Sequence, residues 1–331
     1  MYESIIKELK AGQYKPVYFL MGEEPYYIDK ITEYISINIL SEADKAFNQT
    51  VIYGKDAEAA TVINAAKRFP MMCEYQVVIV KEAQQIKNID DLVYYVQRPL
   101  KSTILVINYK YKKLDKRKKL YKEIEKNGVI FDSAKLYDNE VPGWIASYLK
   151  SQRLTISPTA SLLLAESLGN DLSKISNELE KLKLTLPSGE TAVTESHIEK
   201  TIGISKDYNN FELHKALTQR KVLKANQIIN YFGANPNQNP MVLTITSLYF
   251  FFSKVLMYHF LPDKSQQVAA AALKVRLFVK DYASAAKSYP IPKAVEIISL
   301  LREYDLKSKG VNNTSTPDGQ LLKELVFKIL H

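Results

Sequence analysis

The first 140 residues alternate short, uninterrupted apolar runs with segments of helical periodicity. The apolar runs predict β-strands at residues 17–21, 50–53, 76–80, 103–108 and 129–131. Residues 25–40 and 57–68 have the pattern of helices, the first opening on a proline. Strands that are apolar at every position are covered on both faces, and alternation with helices is typical of a parallel sheet. We therefore predict an α/β domain over residues 1–140, with helices on both faces of a parallel sheet.

After residue 140 the strand signals nearly stop and the pattern becomes helical. Ser157 and Pro158 are typical of a helix start, and Gly169 of a helix end. The next helix carries a stripe of residues spaced i, i+3, i+7 and i+10, namely Leu172, Ile175, Leu179 and Leu182. Thr194 can cap a short third helix. We therefore predict an all-α domain of three helices over residues 141–207.

The remaining residues, 208–331, predict a second all-α domain. Helix breaks are expected at residues 233–240, 262–263, 290–292 and 310–319, where glycine and proline occur. The most apolar stretch, 241–260, is interrupted by polar residues and by Lys254, which favours a buried helix over a membrane span. With one cysteine, Cys73, no internal disulfide can form, and the acidic start does not resemble a signal peptide. We expect a cytoplasmic protein without a membrane partner.

Gly22 lies between the first strand and a helix, where nucleotide-binding proteins carry a phosphate loop. That loop needs a second glycine five residues on, followed by lysine and then serine or threonine. Those positions hold Tyr27, Ile28 and Asp29. Glu23 and Glu24 also place negative charge where phosphates would lie. The sequence therefore predicts no functional phosphate loop.

No other pattern indicates a catalytic or metal site. Glu82 follows the third strand and Asn108 ends the fourth, where related ATPases carry a metal-holding acid and a phosphate sensor. Without a phosphate loop, a solvated charge and a residue that satisfies backbone groups are the simpler interpretations. The four histidines are scattered, and Cys73 has no identifiable histidine partner. We expect no catalytic residue, metal or cofactor.

Charge is concentrated in residues 110–126, which hold nine Lys or Arg against three acids, a surplus of six within the net charge of +9. The candidate DNA-facing residues are Lys112, Lys113, Lys116, Arg117, Lys118 and Lys119. Interleaved tyrosines make a nucleic-acid surface conceivable. The alternative, which we favour from the residues, is the solvated face of a helix over 114–124.

The segment Phe69, Pro70, Met71 and Met72 connects an alanine-rich helix to the third strand. Proline blocks continuation of the helix and favours an exposed turn. Aromatic and methionine side chains on such a turn suit an adaptable binding surface. The alternative is that the three large side chains turn inward and cover the sheet, and composition alone favours that alternative.

Three segments in order, residues 16–29, 169–182 and 300–310, resemble the delta subunit of the bacterial DNA polymerase III clamp loader. The resemblance implies an AAA+-type domain without nucleotide, a helical lid and a helical collar that associates with the other loader subunits. It also implies a non-catalytic subunit of a DNA polymerase holoenzyme. Such a subunit binds the sliding clamp, the beta subunit, and favours its open form during loading onto primed DNA.

The family's clamp contact is a short hydrophobic element after the second helical region of the first domain. The resemblance therefore implies that Phe69, Pro70, Met71 and Met72 bind the clamp, with Pro70-Met71-Met72 in place of the family's Leu-Phe pair. Two alternatives stay open at this stage. One is an ATPase of the same superfamily, of the helicase-loader type, and the other is a stand-alone basic DNA-binding protein.

Overall fold

The computed structural model describes residues 1–187, 189–205, 207–275, 279–313 and 315–331. The chain divides into two compact units, Met1–Leu136 and Tyr137–His331, and each unit has an apolar core of its own. An α/β unit is thus followed by a helical part, as the sequence predicts. The domain boundaries expected at residues 140 and 207 stay predictions.

The first unit is built on a parallel sheet of five strands in the order β2-β3-β4-β1-β5. The strands are β1 Val17–Gly22, β2 Gln49–Tyr53, β3 Gln76–Lys81, β4 Thr103–Lys110 and β5 Val129–Ser133. Each predicted strand is confirmed, with ends that differ by at most two residues. The strand β1, which lies between β4 and β5, is buried at all six positions, because both of its faces are covered.

Helices cover the two faces of this sheet. They are α1 Tyr2–Lys10, α2 Pro25–Asn38, α3 Glu42–Asn48, α4 Ala59–Ala66, α5 Val93–Val96 and α6 Lys119–Asn127. Successive residues of β1 point to opposite faces. Phe19 therefore joins the core formed with α4, α5 and α6, whereas Leu20 joins the core formed with α1 and α2.

Three predicted helices have different bounds in the structure, and the one expected over 57–68 spans Ala59–Ala66. The helix expected over 25–40 ends at Asn38, because Ser41 starts a new helix by accepting the Asp44 N–H at 3.2 Å. The helix expected over 114–124 begins at Lys119, so that prediction was wrong for its first five residues. Asp115 instead forms a turn, in which its carboxylate accepts the Arg117 N–H at 2.9 Å.

The second unit contains helices joined by short loops and a two-stranded parallel sheet. The helices are α7 Val141–Ser151, α8 Pro158–Leu168, α9 Leu172–Thr185, α10 Glu195–Ile202, α11 Asn210–Thr218, α12 Val222–Ala234, α13 Met241–His259, α14 Gln266–Ala272, α15 Val279–Ser288, α16 Ile291–Ser308 and α17 Asp318–Leu330. The strands are β6 Thr155–Ile156 and β7 Ala192–Val193. The sequence patterns indicated neither α7 nor this small sheet.

The predicted helix ends of this unit are confirmed. Ser157 Oγ accepts the Ala160 N–H at 3.0 Å at the start of α8, and Gly169 ends that helix with a positive φ of 74°. Thr194 caps α10, donating its N–H to His197 Nδ1 at 3.2 Å. The four apolar residues of the α9 stripe are all buried. Local capping chemistry therefore sets these boundaries.

Within the described residues, one helix, α13, has the length and composition to cross a membrane. Its residues Leu248, Phe252 and Val255 are nevertheless fully buried in the core shared with α11, α12, α15, α16 and α17. A core helix of a soluble protein has the same composition. Its composition therefore gives no evidence for a membrane protein.

Candidate functional site

The loop between α4 and β3 presents three large apolar side chains to solvent. The side chains of Phe69, Met71 and Met72 are 76%, 54% and 102% exposed. Pro70, between them, is half-buried. The inward packing that composition favoured is therefore wrong. Apolar side chains clustered on an exposed loop are typical of a surface that contacts a partner.

A buried asparagine holds this loop at Met71. Asn48, the last residue of α3, is 4% exposed. Its Oδ1 accepts the Met71 N–H at 2.6 Å, and its Nδ2 donates to the Met71 carbonyl at 3.0 Å. The Asn48 side chain therefore satisfies both polar backbone groups of Met71, as a neighbouring strand would.

A second group of hydrogen bonds holds the loop where it leaves α4. Gln76 Nε2 donates to the carbonyl oxygens of Ala66 and Arg68 and, at 2.7 Å, to Thr103 Oγ1. Thr103 Oγ1 in turn donates to the Ala66 carbonyl at 2.9 Å. Gln76 and Thr103 are buried at the start of β3 and β4. Phe69 and Pro70 have no regular secondary structure, but they lie between two residues whose backbone is held by hydrogen bonds, Arg68 and Met71.

Gly22 lies at the carboxyl end of β1, where the sequence placed the degenerate nucleotide loop. Its φ of 126° suits glycine, and a Cβ added there would lie 2.2 Å from the Ser133 carbonyl oxygen. The backbone of Tyr111 and Lys112, which follow β4, passes beside Gly22. The Gly22 N–H donates to the Lys112 carbonyl at 3.1 Å, and the Tyr111 N–H donates to the Gly22 carbonyl at 2.8 Å. The protein's own backbone therefore occupies the hydrogen-bonding groups of Gly22.

The N-terminus of α2, which would face a phosphate in a nucleotide-binding protein, is capped by a carboxylate. Glu24 is 3% exposed, and its Oε1 accepts the Tyr26 N–H at 2.9 Å. The Glu24 N–H donates to the Ser133 carbonyl at 3.1 Å. Glu23 is exposed beside it. Because a negative charge already neutralises this helix end, a phosphate there would meet repulsion instead of free N–H donors.

The three positions that replace the phosphate-loop signature contribute to the fold. Ile28 is fully buried in the core beneath α2. The Tyr27 ring packs against the Tyr2 ring, with centroids 4.8 Å apart. Asp29 is exposed and pairs with Lys110 Nζ at 2.6 Å. The lysine that would hold a phosphate is thus replaced by a buried apolar side chain, and the position of the Ser or Thr hydroxyl holds a carboxylate paired with a lysine.

Glu82 and Asn108 lie where related ATPases carry a metal-holding acid and a phosphate sensor, and both have other contacts in this structure. Glu82 is exposed and accepts from Gln85 Nε2 at 3.0 Å, as expected for a solvated charge. Asn108 is 1% exposed, and its Oδ1 accepts from Thr32 Oγ1 at 2.9 Å. The expected backbone partner of Asn108 was therefore wrong, because the helix α2 supplies a side-chain hydroxyl.

The basic segment is an exposed loop followed by the start of α6. Half of the candidate cations form ion pairs: Lys113 with Asp132 at 2.9 Å, Arg117 with Asp115 at 2.6 Å and Lys118 with Asp90 at 2.7 Å. The other three, Lys112, Lys116 and Lys119, are exposed, and none of the residues that the structure describes supplies them with a carboxylate within 4.0 Å. These three lysines are therefore the candidate DNA-facing cations whose charge no ion pair within the described residues compensates.

A half-buried polar cluster in the second unit had no signal in the sequence. Ser247 on α13 donates its hydroxyl to Glu166 Oε1 on α8 at 2.6 Å and lies 3.3 Å from His214 Nε2 on α11. Burial raises the pKa of Glu166 to about 7 and lowers the pKa of His214 to about 3. Residues from three helices meet here, so spacing along the chain could not indicate the cluster. Within the described ranges, no group of three or more His, Cys, Asp or Glu could hold a metal ion.

Comparisons with known proteins agree with this architecture. The family model described as DNA polymerase III, delta subunit, matches residues 18–134, which lie in the first unit. DNA polymerase III subunit delta of Bacillus subtilis (strain 168) is 29% identical, covering 96% of this chain and 94% of its own. The solved structure of the Bacillus subtilis DNA clamp loader delta protein has a TM-score of 0.58 and 26% identity, covering 100% of this chain and 99% of its own.

The resemblance to the DNA polymerase III delta subunit is confirmed. The similarity extends over both units and is not confined to the sheet. The order of a parallel α/β unit followed by helices is therefore that of a clamp-loader delta fold.

Proposed function

We propose that this chain acts as a clamp-loader delta subunit and binds the sliding clamp, the beta subunit of DNA polymerase III, through Phe69, Pro70, Met71 and Met72. One observation carries this proposal. Three large apolar side chains stand in solvent on a loop whose backbone is fixed by the buried side chains of Asn48 and Gln76. Folding alone does not account for exposed apolar side chains in fixed positions, whereas a partner with an apolar pocket does.

The proposed effect on the clamp requires no chemistry. A clamp ring exchanges between closed and open states, and a ligand that binds the open state more tightly increases its population. Each tenfold change in the population ratio requires about 1.4 kcal/mol of differential affinity. Full burial of one Phe or Met side chain contributes about 1.5–3 kcal/mol before the costs of binding. Two or three anchors therefore supply enough free energy to favour opening if the open clamp buries them more fully than the closed clamp does.

We also propose that the chain acts without nucleotide and is not itself an enzyme. The support is the capped N-terminus of α2, the buried Ile28 at the lysine position and the backbone that crosses Gly22. The ATPase alternative would need a phosphate-binding surface at this point, and these residues argue against one. In a loader, other subunits would then supply ATP hydrolysis.

The proposed contacts with other loader subunits lie on the helical part of the chain. Val242, Tyr249 and Met257 on α13, and Phe260 directly after it, recur with helical spacing, and each is at least 41% exposed. An apolar stripe on the outer face of a core helix is typical of a subunit interface. A replication protein assembled in this way would work in the cytoplasm, without a membrane partner.

Primed DNA is the third proposed partner, and the exposed lysines support it. Lys112, Lys116 and Lys119 are free to neutralise phosphates inside an assembled loader. Replacing the three with glutamate should weaken DNA binding by the loader and reduce its salt dependence, as measured by fluorescence anisotropy at several salt concentrations. Tight duplex binding by the isolated chain would favour the stand-alone DNA-binding alternative.

The central test uses the purified chain and the sliding clamp of the same organism. A binding titration without ATP should saturate, and fluorophores placed across the clamp's subunit interface should move apart as the chain is added. No saturable binding would contradict clamp recognition. Binding without any change in the interface signal would contradict the opening role alone.

A further inference from the structure

We infer that Asn48 is the positioning residue of the clamp-binding loop, holding Met71 so that the apolar side chains on either side of it are presented in one arrangement. This inference rests on the proposed function, because the loop has no other role to be positioned for. Asn48 lies on a different element from the loop, 23 residues earlier in the chain. It contributes no exposed surface of its own, since it is 4% exposed.

The geometry of the contact is that of a side chain acting as a strand partner. The Asn48 amide bonds the N–H of Met71 at 2.6 Å and the carbonyl of Met71 at 3.0 Å. An amide side chain offers one acceptor and two donors, and the second donor reaches the Asp44 carbonyl at 3.2 Å within α3. The loop is therefore connected to the end of α3 through a single residue whose rotation is restrained on both sides.

The conformation of the loop tip shows why such a restraint is needed. Met72 follows the held residue with φ at 58°, the left-handed region that non-glycine residues seldom adopt. The Met72 side chain is 102% exposed, so its own contacts cannot hold that conformation. On the amino-terminal side of Met71, Phe69 and Pro70 follow Arg68, whose carbonyl accepts a hydrogen bond from Gln76 Nε2. Without Asn48, these hydrogen bonds would hold the backbone at Arg68 and again at Gln76, where β3 begins, but not at Met71.

The expected consequence for binding follows from the fraction of molecules whose loop is ready to bind. The apparent dissociation constant rises in inverse proportion to that fraction. Loss of two hydrogen bonds that hold Met71 should reduce the fraction to about one tenth or less. Asn48→Ala should therefore weaken clamp binding about tenfold or more, although the residue itself does not reach the clamp.

The experiment compares three variants of the full chain. Asn48→Ala removes both bonds to Met71, whereas Asn48→Asp keeps the shape and the acceptor but loses the donors to Met71 and Asp44. Asn38→Ala is the matched control, because Asn38 also ends a helix but its Nδ2 donates within that helix, to the Tyr34 carbonyl at 2.9 Å. Clamp titration, thermal melting and amide hydrogen exchange are measured on each.

Positioning predicts a specific combination of results. In Asn48→Ala the amide of Met71 should exchange faster while the amides of the sheet stay protected, and clamp binding should weaken about tenfold. Asn48→Asp should weaken clamp binding about threefold or more. This variant provides the test if Asn48→Ala folds poorly. Added to a Met71→Ala/Met72→Ala background, Asn48→Ala should have little further effect, because it acts through those side chains.

Three outcomes would overturn the inference. Exchange at Met71 and clamp affinity in both Asn48 variants could match the Asn38→Ala control. Alternatively, Asn48→Ala could lower affinity by the same factor with and without the methionines, which would indicate a general loss of structure. Finally, Met71→Ala/Met72→Ala could bind the clamp as the unmodified chain does. That last result would reject the clamp site itself, while hydrogen exchange would still show whether Asn48 holds the loop.

Discussion

The sharpest prediction concerns the two methionines at the tip of the apolar loop. Met71 and Met72 are 54% and 102% exposed, so the folded chain alone gains little from their side chains. Replacement of both by alanine should therefore change the free energy of unfolding by no more than about 0.5 kcal/mol. If both insert into a pocket on the clamp, binding loses most of the apolar burial that they would contribute there.

The magnitude follows from the size of the side chain. A fully buried methionine contributes about 1.5–3 kcal/mol, and truncation of two anchors in one pocket should remove about 2–4 kcal/mol of binding free energy. The dissociation constant should rise about 30- to 1,000-fold. The loss should depend little on salt, because apolar burial drives the contact and charge contributes little.

Two single variants serve as controls on the same assays. Met21→Ala removes the same side chain from a site that is 1% exposed, and it should lower the free energy of unfolding by about 2–5 kcal/mol. Tyr94→Ala truncates a side chain that is 70% exposed elsewhere in the first unit, and it should affect neither property. A double variant that melts much earlier than the unmodified chain, yet binds the clamp normally when folded, would refute the reasoning.

Three further predictions test other parts of the molecule. Ile28→Lys should fail to create ATP binding and should lower the free energy of unfolding by about 3 kcal/mol or more in urea denaturation, because the site is fully buried; a stable variant with saturable, magnesium-dependent ATP binding would contradict this. Burial raises the pKa of Glu166 from 4.5 to about 7, so the folded chain loses stability as the pH rises through that interval. Glu166→Gln should therefore leave the free energy of unfolding, measured by urea denaturation, unchanged at pH 4 and raise it by up to about 3 kcal/mol at pH 8. The same effect at both pH values would contradict a raised pKa. Tyr249→Ala combined with Met257→Ala should weaken co-elution with partner loader subunits in size-exclusion chromatography without changing the melting temperature, since both side chains are at least 47% exposed. Undiminished co-elution would count against an interface on α13.

Much of the fold was predictable from the sequence, because its signals are local. Continuous apolar runs marked all five strands of the sheet, and in β1, β3 and β4 the reason is that a strand covered on both faces is apolar at nearly every position. Ser157, Gly169 and Thr194 marked helix ends because capping depends on atoms within three or four residues. The absence of phosphate-loop chemistry at Tyr27, Ile28 and Asp29 could likewise be deduced from the sequence.

Other features depended on residues that are distant in sequence and meet in the fold. The helix expected from residue 114 starts at Lys119 because the Asp115 turn interrupts it, and periodicity alone did not indicate that turn. The small pair of β6 and β7 joins strands of two residues each, too short for a pattern to emerge. The cluster of Glu166, His214 and Ser247 draws one residue from each of three helices.

The exposed loop of residues 69–72 shows most clearly which features the local sequence determines and which the tertiary structure determines. Composition placed Phe69, Met71 and Met72 inward, because large apolar side chains usually leave water on folding. Whether they can do so depends on where the backbone is held, and that is decided by Asn48 from α3 and Gln76 from β3. Local sequence determines which segments become helices and strands, whereas the direction in which a loop faces is determined by hydrogen bonds that form only after those segments have packed.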